Sequence, residues 1–142
     1  MSKRVLVISP HCDDAELGCG GYVARTVAEG GEVYTAVATV STKVYLHREQ
    51  AVTAEDRIAE FEHACDILGV EDYEIIVPGK QSELHLYPMG EMIQKLDARM
   101  ADWKPDEVLI PLPAAHQDHV YMYQAAIAAC RQSQSKDHVK LV

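Results

Sequence analysis

The feature that most constrains the fold is a regular alternation of short apolar runs with longer amphipathic segments. The apolar runs predict four buried strands at 4–9, 32–40, 73–77 and 106–110, and 139–142 begins a fifth. The amphipathic segments between them predict helices over 15–29, 53–68, 89–102 and 118–131, and Gly69 fits the position just past a helix end. The polar segment 41–51 and the segment 80–88 are predicted to be loops. We therefore expect a single Rossmann-like domain over 1–142, a three-layer α/β/α arrangement with a mostly parallel sheet of about five strands.

The first interesting loop follows the first strand and contains His11, Asp13 and Asp14. In a parallel sheet, ligands bind at the carboxyl ends of the strands, so this loop is well placed for a site. Two adjacent carboxylates beside an imidazole favour a cation between them. Helix capping is the alternative, because Asp is a common N-cap residue and suits the positive end of a helix. Capping accounts for one Asp better than for two Asp and a His.

The second loop follows the fourth strand and contains His116, Asp118 and His119. Two histidines three residues apart can share one side of a helical turn. A lone His is usually structural, whereas a His-x-x-His that faces a second His/Asp cluster is a better candidate for metal binding. Together the loops can supply two histidines and a carboxylate and leave a position for water, as catalytic zinc sites do.

These loops resemble those of the PIG-L/LmbE-like family of N-acetylglucosaminyl deacetylases. The run His-x-Asp-Asp-x-Glu-Leu-Gly-x-Gly-Gly, from His11 to Gly21, is similar to the branch that includes bacillithiol-pathway deacetylases. The second loop matches the family's His-Pro-Asp-His, with Gln117 in place of Pro. The resemblance extends from Val5 to about Ala129 and includes an intervening helix motif, which consists of Arg57, Glu60, Ala64, Leu68 and Gly69.

The resemblance implies a metal held by His11, Asp14 and His119. The expected metal is Zn²⁺, and Fe²⁺ or another divalent transition metal is the alternative. The implied reaction is removal of an acetyl or similar acyl group from an N-acylated amino sugar or glycoconjugate. The resemblance also leaves room for a homo-oligomer.

The same resemblance implies roles for four further residues. Asp13 is the expected general base, and Arg57 is a substrate contact. His116 is the electrophile or acid near the developing oxyanion, and Asp118 is the residue that orients His116 and favours its charged form.

Two departures from the family pattern leave an alternative open. Cys12 stands where the family usually has Pro or Ala, and we expect its thiol to point away from the metal. Relatives usually carry several tens more residues after the fifth strand, and those residues help to build the substrate pocket. The alternative is therefore a non-catalytic or incomplete metal-binding module of the same fold.

Composition excludes several other classes of protein. A formal net charge of −9 argues against binding to nucleic acid or to an anionic membrane surface. No stretch approaches the roughly 20 apolar residues of a membrane-spanning helix. The four cysteines form no C-x-x-C pair and no secretory leader is recognisable, which predicts reduced thiols in a cytoplasmic protein.

Two rival folds fit the residues poorly. A phosphoacceptor receiver domain needs an Asp at the end of the third strand, but that strand leads into Val77, Pro78 and Gly79. A non-haem iron oxygenase also uses two histidines and a carboxylate, but its usual host is an all-β barrel. The remaining histidines lack an acidic partner at ligand spacing and are interpreted as structural or exposed: His47, His63, His85 and His138.

Overall fold

Parallel strands form one central sheet in the computed structural model, which describes residues 2–45, 47, 50–131 and 140–141. The strand order is β5-β2-β1-β6-β7, so β1 lies between β2 and β6. The strands of the sheet are β1 Arg4–Ser9, β2 Glu32–Val37, β5 Asp72–Ile75, β6 Glu107–Leu109 and the two-residue β7 Lys140–Leu141. The helices are α1 Asp14–Ala28, α2 Ala54–Leu68, α3 Met89–Trp103 and α4 Gln117–Ala129. The expected parallel α/β architecture is confirmed, with four strands of three residues or more, and the predicted fifth strand is reduced to two paired residues.

Helices cover both faces of the sheet because the side chains of each strand alternate between the two faces. Val5 and Val7 of β1 face one core cluster, whereas Leu6 and Ile8 face the other. The first cluster contains Val23 of α1 and Phe61 and Cys65 of α2. The second contains Met92 and Leu96 of α3 and Met122 and Ala125 of α4. The two clusters make the three-layer arrangement that the sequence predicts.

β1 has the predicted bounds, but the other strands are shorter than the apolar runs that predict them. The predicted strands over 32–40, 73–77 and 106–110 are observed as β2, β5 and β6, each of which ends earlier. Backbone pairing nevertheless continues past β2, since the Ala38 N–H donates to the Ser9 carbonyl and the Val77 N–H donates to the Ala38 carbonyl. Ala38 and Val40 therefore remain buried beyond β2, and Ile76, Val77 and Ile110 are half-buried where the backbone turns into the loops after β5 and β6.

A small hairpin stands where the sequence predicts a polar loop. Residues 41–51 were expected to be irregular, but β3 Lys43–Tyr45 and β4 Gln50–Val52 pair antiparallel. A strand of three residues is too short to show the alternation of apolar and polar side chains by which a strand is predicted from sequence. A 3₁₀ turn over Leu84–Leu86 similarly occupies part of the predicted loop 80–88.

Both ends of α2 are fixed by local interactions. Thr53 caps the helix, because its hydroxyl accepts from the Asp56 N–H at 3.0 Å while the Asp56 carboxylate accepts from the Thr53 N–H at 3.2 Å. This reciprocal pair is a capping box. The helix ends at Gly69, as predicted, in the left-handed region with φ of 72°. The fixed first turn of α2 carries Arg57, one of the predicted site residues.

We predict that Gly69→Ala destabilises the protein more than Gly30→Ala. Both glycines have positive φ, which costs another residue about 1–2 kcal/mol. A Cβ at Gly69 would also lie 2.7 Å from Cγ1 of Val27, whereas a Cβ at Gly30 would meet no atom within 4 Å. Overpacking should therefore add roughly 1–3 kcal/mol for Gly69→Ala. Urea unfolding of both variants measures the difference, and equal losses of unfolding free energy would contradict the packing role of Gly69.

Candidate metal centre and catalytic cleft

The two predicted site loops lie side by side at one edge of the sheet. β1 and β6 are adjacent parallel strands, so residues 10–13 and 110–116 leave the sheet at the same edge. From β1 the chain passes through α1 to β2, which pairs with one edge of β1, while β6 pairs with the other edge of β1. This is the point at which strand order reverses, where ligands of open α/β sheets bind.

Asp14 connects the two histidines that were predicted as metal ligands. Its Oδ2 lies 3.2 Å from Nδ1 of His11, and its Oδ1 lies 3.3 Å from Nε2 of His119. The ligand atoms of the three residues all lie within 4.8 Å of one another. A tetrahedral zinc with ligands at about 2.0–2.1 Å separates its ligand atoms by about 3.3–3.4 Å. The donor set and its spacing therefore fit a divalent metal.

Asp118 orients His11 from the side opposite Asp14. This carboxylate is fully buried, and its Oδ2 lies 2.9 Å from Nε2 of His11. The same carboxylate accepts from the backbone N–H groups of Ser82, at 2.6 Å, and Leu84, at 3.4 Å. His11, His116 and Asp118 also meet the geometric condition for a ligand group. However, the hydrogen bonds of Asp118 match the outer carboxylate that commonly accepts from a metal-ligating histidine.

The pKa values of His11 and Asp14 reflect their mutual contact. Burial by itself lowers the pKa of His11, but its hydrogen bonds to Asp14 and Asp118 outweigh burial and raise that pKa above its ordinary value. Burial raises the pKa of Asp14, but the hydrogen bond with His11 and the charge of His119 outweigh it and lower that pKa. The cluster therefore favours a carboxylate at Asp14 beside cationic partners, which is the charge pattern that a metal cation would replace.

His116 is positioned by the backbone of Asp118 and not by its carboxylate. His116 is the N-cap of α4, and its Nδ1 accepts from the Asp118 N–H at 3.1 Å. Its ring lies 4.8 Å from the ring of His11, and its Nε2 lies 3.5 Å from Oγ of Ser82. Burial and the nearby charge of His11 lower the pKa of His116. The negative charge of Asp118 acts in the expected direction and raises the pKa of His116, but burial and the charge of His11 outweigh it, and the carboxylate itself contacts His11.

Asp13 and Arg57 face each other across the cleft. Asp13 occupies the N-cap position of α1, but its side chain makes no capping hydrogen bond. Its carboxylate is 63% exposed and lies 4.0 Å from Nη2 of Arg57. Arg57 also donates from Nη1 to Oε1 of Gln81 at 3.0 Å. Capping therefore does not account for the Asp13 side chain, which is free to contact a bound molecule.

A cleft of about 500 Å³ opens beside the cluster, and the hairpin forms part of its wall. Asp13, Arg57 and His116 line this cleft together with Lys43 and Tyr45 of β3. Sequence reasoning missed both hairpin residues, because a three-residue strand carries no readable pattern. The wall of the cleft carries the positively charged side chains of Arg57 from α2 and Lys43 from β3, and it carries the carboxylate of Asp13 from the loop after β1.

The remaining predicted residues take no part in the cluster. Cys12 is buried, and burial raises the pKa of its thiol to about 11, so it stays protonated. All four cysteines are free thiols. Within the described residues, no candidate ligand group contains Cys12, His47, His63 or His85, and His138 lies outside the described residues.

Comparison with known proteins identifies the family. Residues 6–130 match the model of the PIG-L family, described as GlcNAc-PI de-N-acetylase. The chain belongs to this family. It is 32% identical over 135 residues to the uncharacterized deacetylase YaiS of Escherichia coli (strain K12), a match that covers 91% of this chain and 69% of that protein.

Two further relatives have named activities. The chain is 34% identical over 82 residues to a 1D-myo-inositol 2-acetamido-2-deoxy-alpha-D-glucopyranoside deacetylase of Actinosynnema mirum, a match that covers 51% of this chain and 29% of that protein. The N,N'-diacetylchitobiose deacetylase of Pyrococcus horikoshii superposes with a TM-score of 0.76 at 28% identity, over 96% of this chain and 52% of that one. The chain therefore spans about half the length of the Pyrococcus horikoshii structure. Among the helices that the structure describes, none is long and apolar enough to cross a bilayer.

We predict about one zinc ion per chain after equilibration with zinc and removal of the excess. Either His11→Ala or His119→Ala should remove most of the metal, because each deletes one of three protein ligands. His63→Ala is the matched control, since His63 is exposed on α2. Elemental analysis measures the zinc content, and full occupancy in the His119→Ala protein would contradict the assignment.

Proposed function

We propose that this protein is a metal-dependent hydrolase that removes an acyl group, in the simplest case acetyl, from an N-acylated amino sugar. The observation that carries this proposal is the convergence of His11, Asp14 and His119 beside a cleft that also contains Asp13 and His116. Membership of the PIG-L family supports it, because named relatives deacetylate acetamido sugars. Zinc suits the two imidazoles and one carboxylate, and iron(II) has similar ligand preferences.

Hydrolysis of an amide needs an activated water, a stabilised oxyanion and a protonated leaving amine. When bound, a divalent metal supplies Lewis acidity that polarises the carbonyl and acidifies water. Asp13 follows His11 closely in the chain and its carboxylate faces the cleft. It can therefore take the proton from the attacking water and hand it to the amine nitrogen as the C–N bond breaks.

His116 is suited to donate a hydrogen bond to the developing oxyanion. Its Nδ1 accepts from the Asp118 N–H, so the neutral ring carries its proton on Nε2. That nitrogen makes only a long contact with Ser82, and the residue lines the cleft. A fixed donor aimed at the position where negative charge develops is worth about 10²–10³-fold in rate. We therefore assign His116 the electrophile role and Asp13 the proton transfers.

The alternative function is a metal-binding module without turnover. The ligand group of His11, Asp14 and His119 could hold an ion whether or not a substrate is turned over. Release of acetate and free amine from N-acetylglucosamine by the zinc-loaded protein would support the enzyme. A protein that holds zinc at the predicted ligands and releases neither product from a panel of N-acetylated amino sugars would support the module.

We predict that Asp13→Asn keeps the metal and reduces kcat by about 10²–10⁴-fold, the usual contribution of general-base catalysis. The substitution removes a proton acceptor and deletes no predicted ligand. Asp66→Asn is the matched control, because it makes the same chemical change at an exposed position on α2. Loss of metal from Asp13→Asn would instead mean that Asp13 and Asp14 have exchanged roles.

We also predict that His116→Ala keeps its metal and loses about 10²–10³-fold in kcat, while KM changes far less. His116→Asn provides the necessary comparison, because Asn is a good N-cap residue and can replace the acceptor for the Asp118 N–H. If the ring supplies the oxyanion donor, both variants should be slow. Recovery of activity in His116→Asn would show that the residue serves only to cap α4.

A further inference from the structure

A second cavity borders the group of proposed metal ligands (His11, Asp14 and His119, here called the metal cluster) on the side of β6. This apolar groove, of about 470 Å³, lies between the start of α1 and the loop after β6. Its wall consists mainly of Ala15, Leu17, Gly18, Ile110, Leu112 and Ala114. Leu17 is 83% exposed and Leu112 is 79% exposed, although both are large apolar side chains. Exposed apolar groups that meet in one concavity usually mark a binding surface.

The groove and the polar cleft share the metal cluster but differ in chemistry. Asp14 lines both cavities, and His119 lines the groove. Among the described residues that line the groove, Cys19 is the one further titratable side chain, and burial raises the pKa of its thiol to about 11. The cleft, by contrast, contains Asp13 and Arg57. A molecule that spans both cavities therefore meets a polar wall on one side of the metal and an apolar wall on the other.

The proposed reaction determines which part of the substrate enters each cavity. Hydrolysis adds the hydroxyl of water to the carbonyl carbon, breaks the C–N bond and gives a carboxylate and an amine that takes up a proton. The amine carries the sugar, and Asp13 and His116, which serve the carbonyl and the amine, line the polar cleft. The acyl carbon lies on the other side of the same amide bond. We propose that the apolar groove binds the alkyl chain of the acyl group, so that this protein favours N-acyl groups longer than acetyl.

This inference rests on the proposed function and concerns the acyl half of the same substrate. Burial of a methylene group in an apolar site is worth about a fourfold change in binding. Because the groove is open to solvent, we expect kcat/KM to rise about twofold to fourfold for each methylene added beyond acetyl. The increase in kcat/KM should stop when the acyl chain is long enough to extend past Leu17 and Leu112 into water.

A series of N-acylated glucosamines with acetyl, butyryl, hexanoyl and octanoyl groups tests the inference. Gly18→Phe is designed to fill the groove, since a Cβ at Gly18 meets no atom within 4 Å and the residue lines the cavity. Gly21→Phe is the matched control, because a Cβ there is equally unobstructed and Gly21 is exposed on the same helix. The measured quantity is the ratio of kcat/KM for hexanoyl to that for acetyl.

We expect the wild-type ratio to exceed tenfold, to fall towards one in Gly18→Phe and to persist in Gly21→Phe. A wild type that hydrolyses the acetyl substrate without preference for longer chains overturns this inference and leaves the proposed function intact. Retention of the ratio in Gly18→Phe also overturns it. A change of oligomeric state in Gly18→Phe, measured by light scattering, would mean that the groove is a protein contact. Failure to hydrolyse any member of the series by zinc-loaded protein overturns both proposals.

Discussion

The site depends on one buried carboxylate, that of Asp118, which joins three separate segments of the chain. It contacts His11 in the loop after β1 and accepts from the backbone of Ser82 and Leu84 in the loop that follows β5. Asp118 itself lies in the first turn of α4. A fully buried carboxylate is costly unless several donors satisfy it. The three segments are thereby fixed relative to one another, and Nδ1 of His11 is left to face Asp14.

The helix that carries Asp118 links the metal cluster to the second histidine. The first turn of α4 places His119 beside Asp14, while His116 precedes the helix as its N-cap. The backbone N–H of Asp118 holds His116 at the same time as its carboxylate holds His11. Asp118 thus orients two imidazole rings, that of His116 through its backbone N–H and that of His11 through its carboxylate. Replacement of Asp118 would disturb both rings together, so it could not separate the proposed metal binding by His11 from the proposed oxyanion contact of His116.

The sequence predicts the fold and the site loops well because both follow from strong local patterns. Apolar runs such as 4–9 are buried on both faces of a parallel sheet, and the glycine at position 69 marks the end of α2 with a clear signal. The clustering of His11 with His119 follows from the rule that loops after neighbouring parallel strands meet. That rule states where loops lie and gives no side-chain contacts.

The parts that sequence reasoning missed depend on tertiary contacts. Nothing in the order His116-Gln117-Asp118-His119 shows whether the Asp118 carboxylate turns towards His116 or towards the loop after β1. The answer comes from the backbone donors of Ser82 and Leu84, which are distant in sequence and approach only in the folded chain. The β3–β4 hairpin is a similar case, because its short strands are defined by pairing between them and not by the periodicity of either one.

The position of β1 explains why the metal cluster separates two unlike cavities. β1 lies between β2 and β6, so the loop after β1 faces the β2 side and the β6 side at once. On the β2 side, the hairpin and α2 contribute polar and charged residues such as Lys43 and Arg57. On the β6 side, the wall consists of the apolar continuation of β6, including Ile110 and Leu112. Asp14 borders both cavities, so under the proposed function a substrate held beside Asp14 would meet a polar wall on one side and an apolar wall on the other. The strand order therefore supplies the asymmetry that the proposed substrate, an amide with a polar amine half and an apolar acyl half, would require.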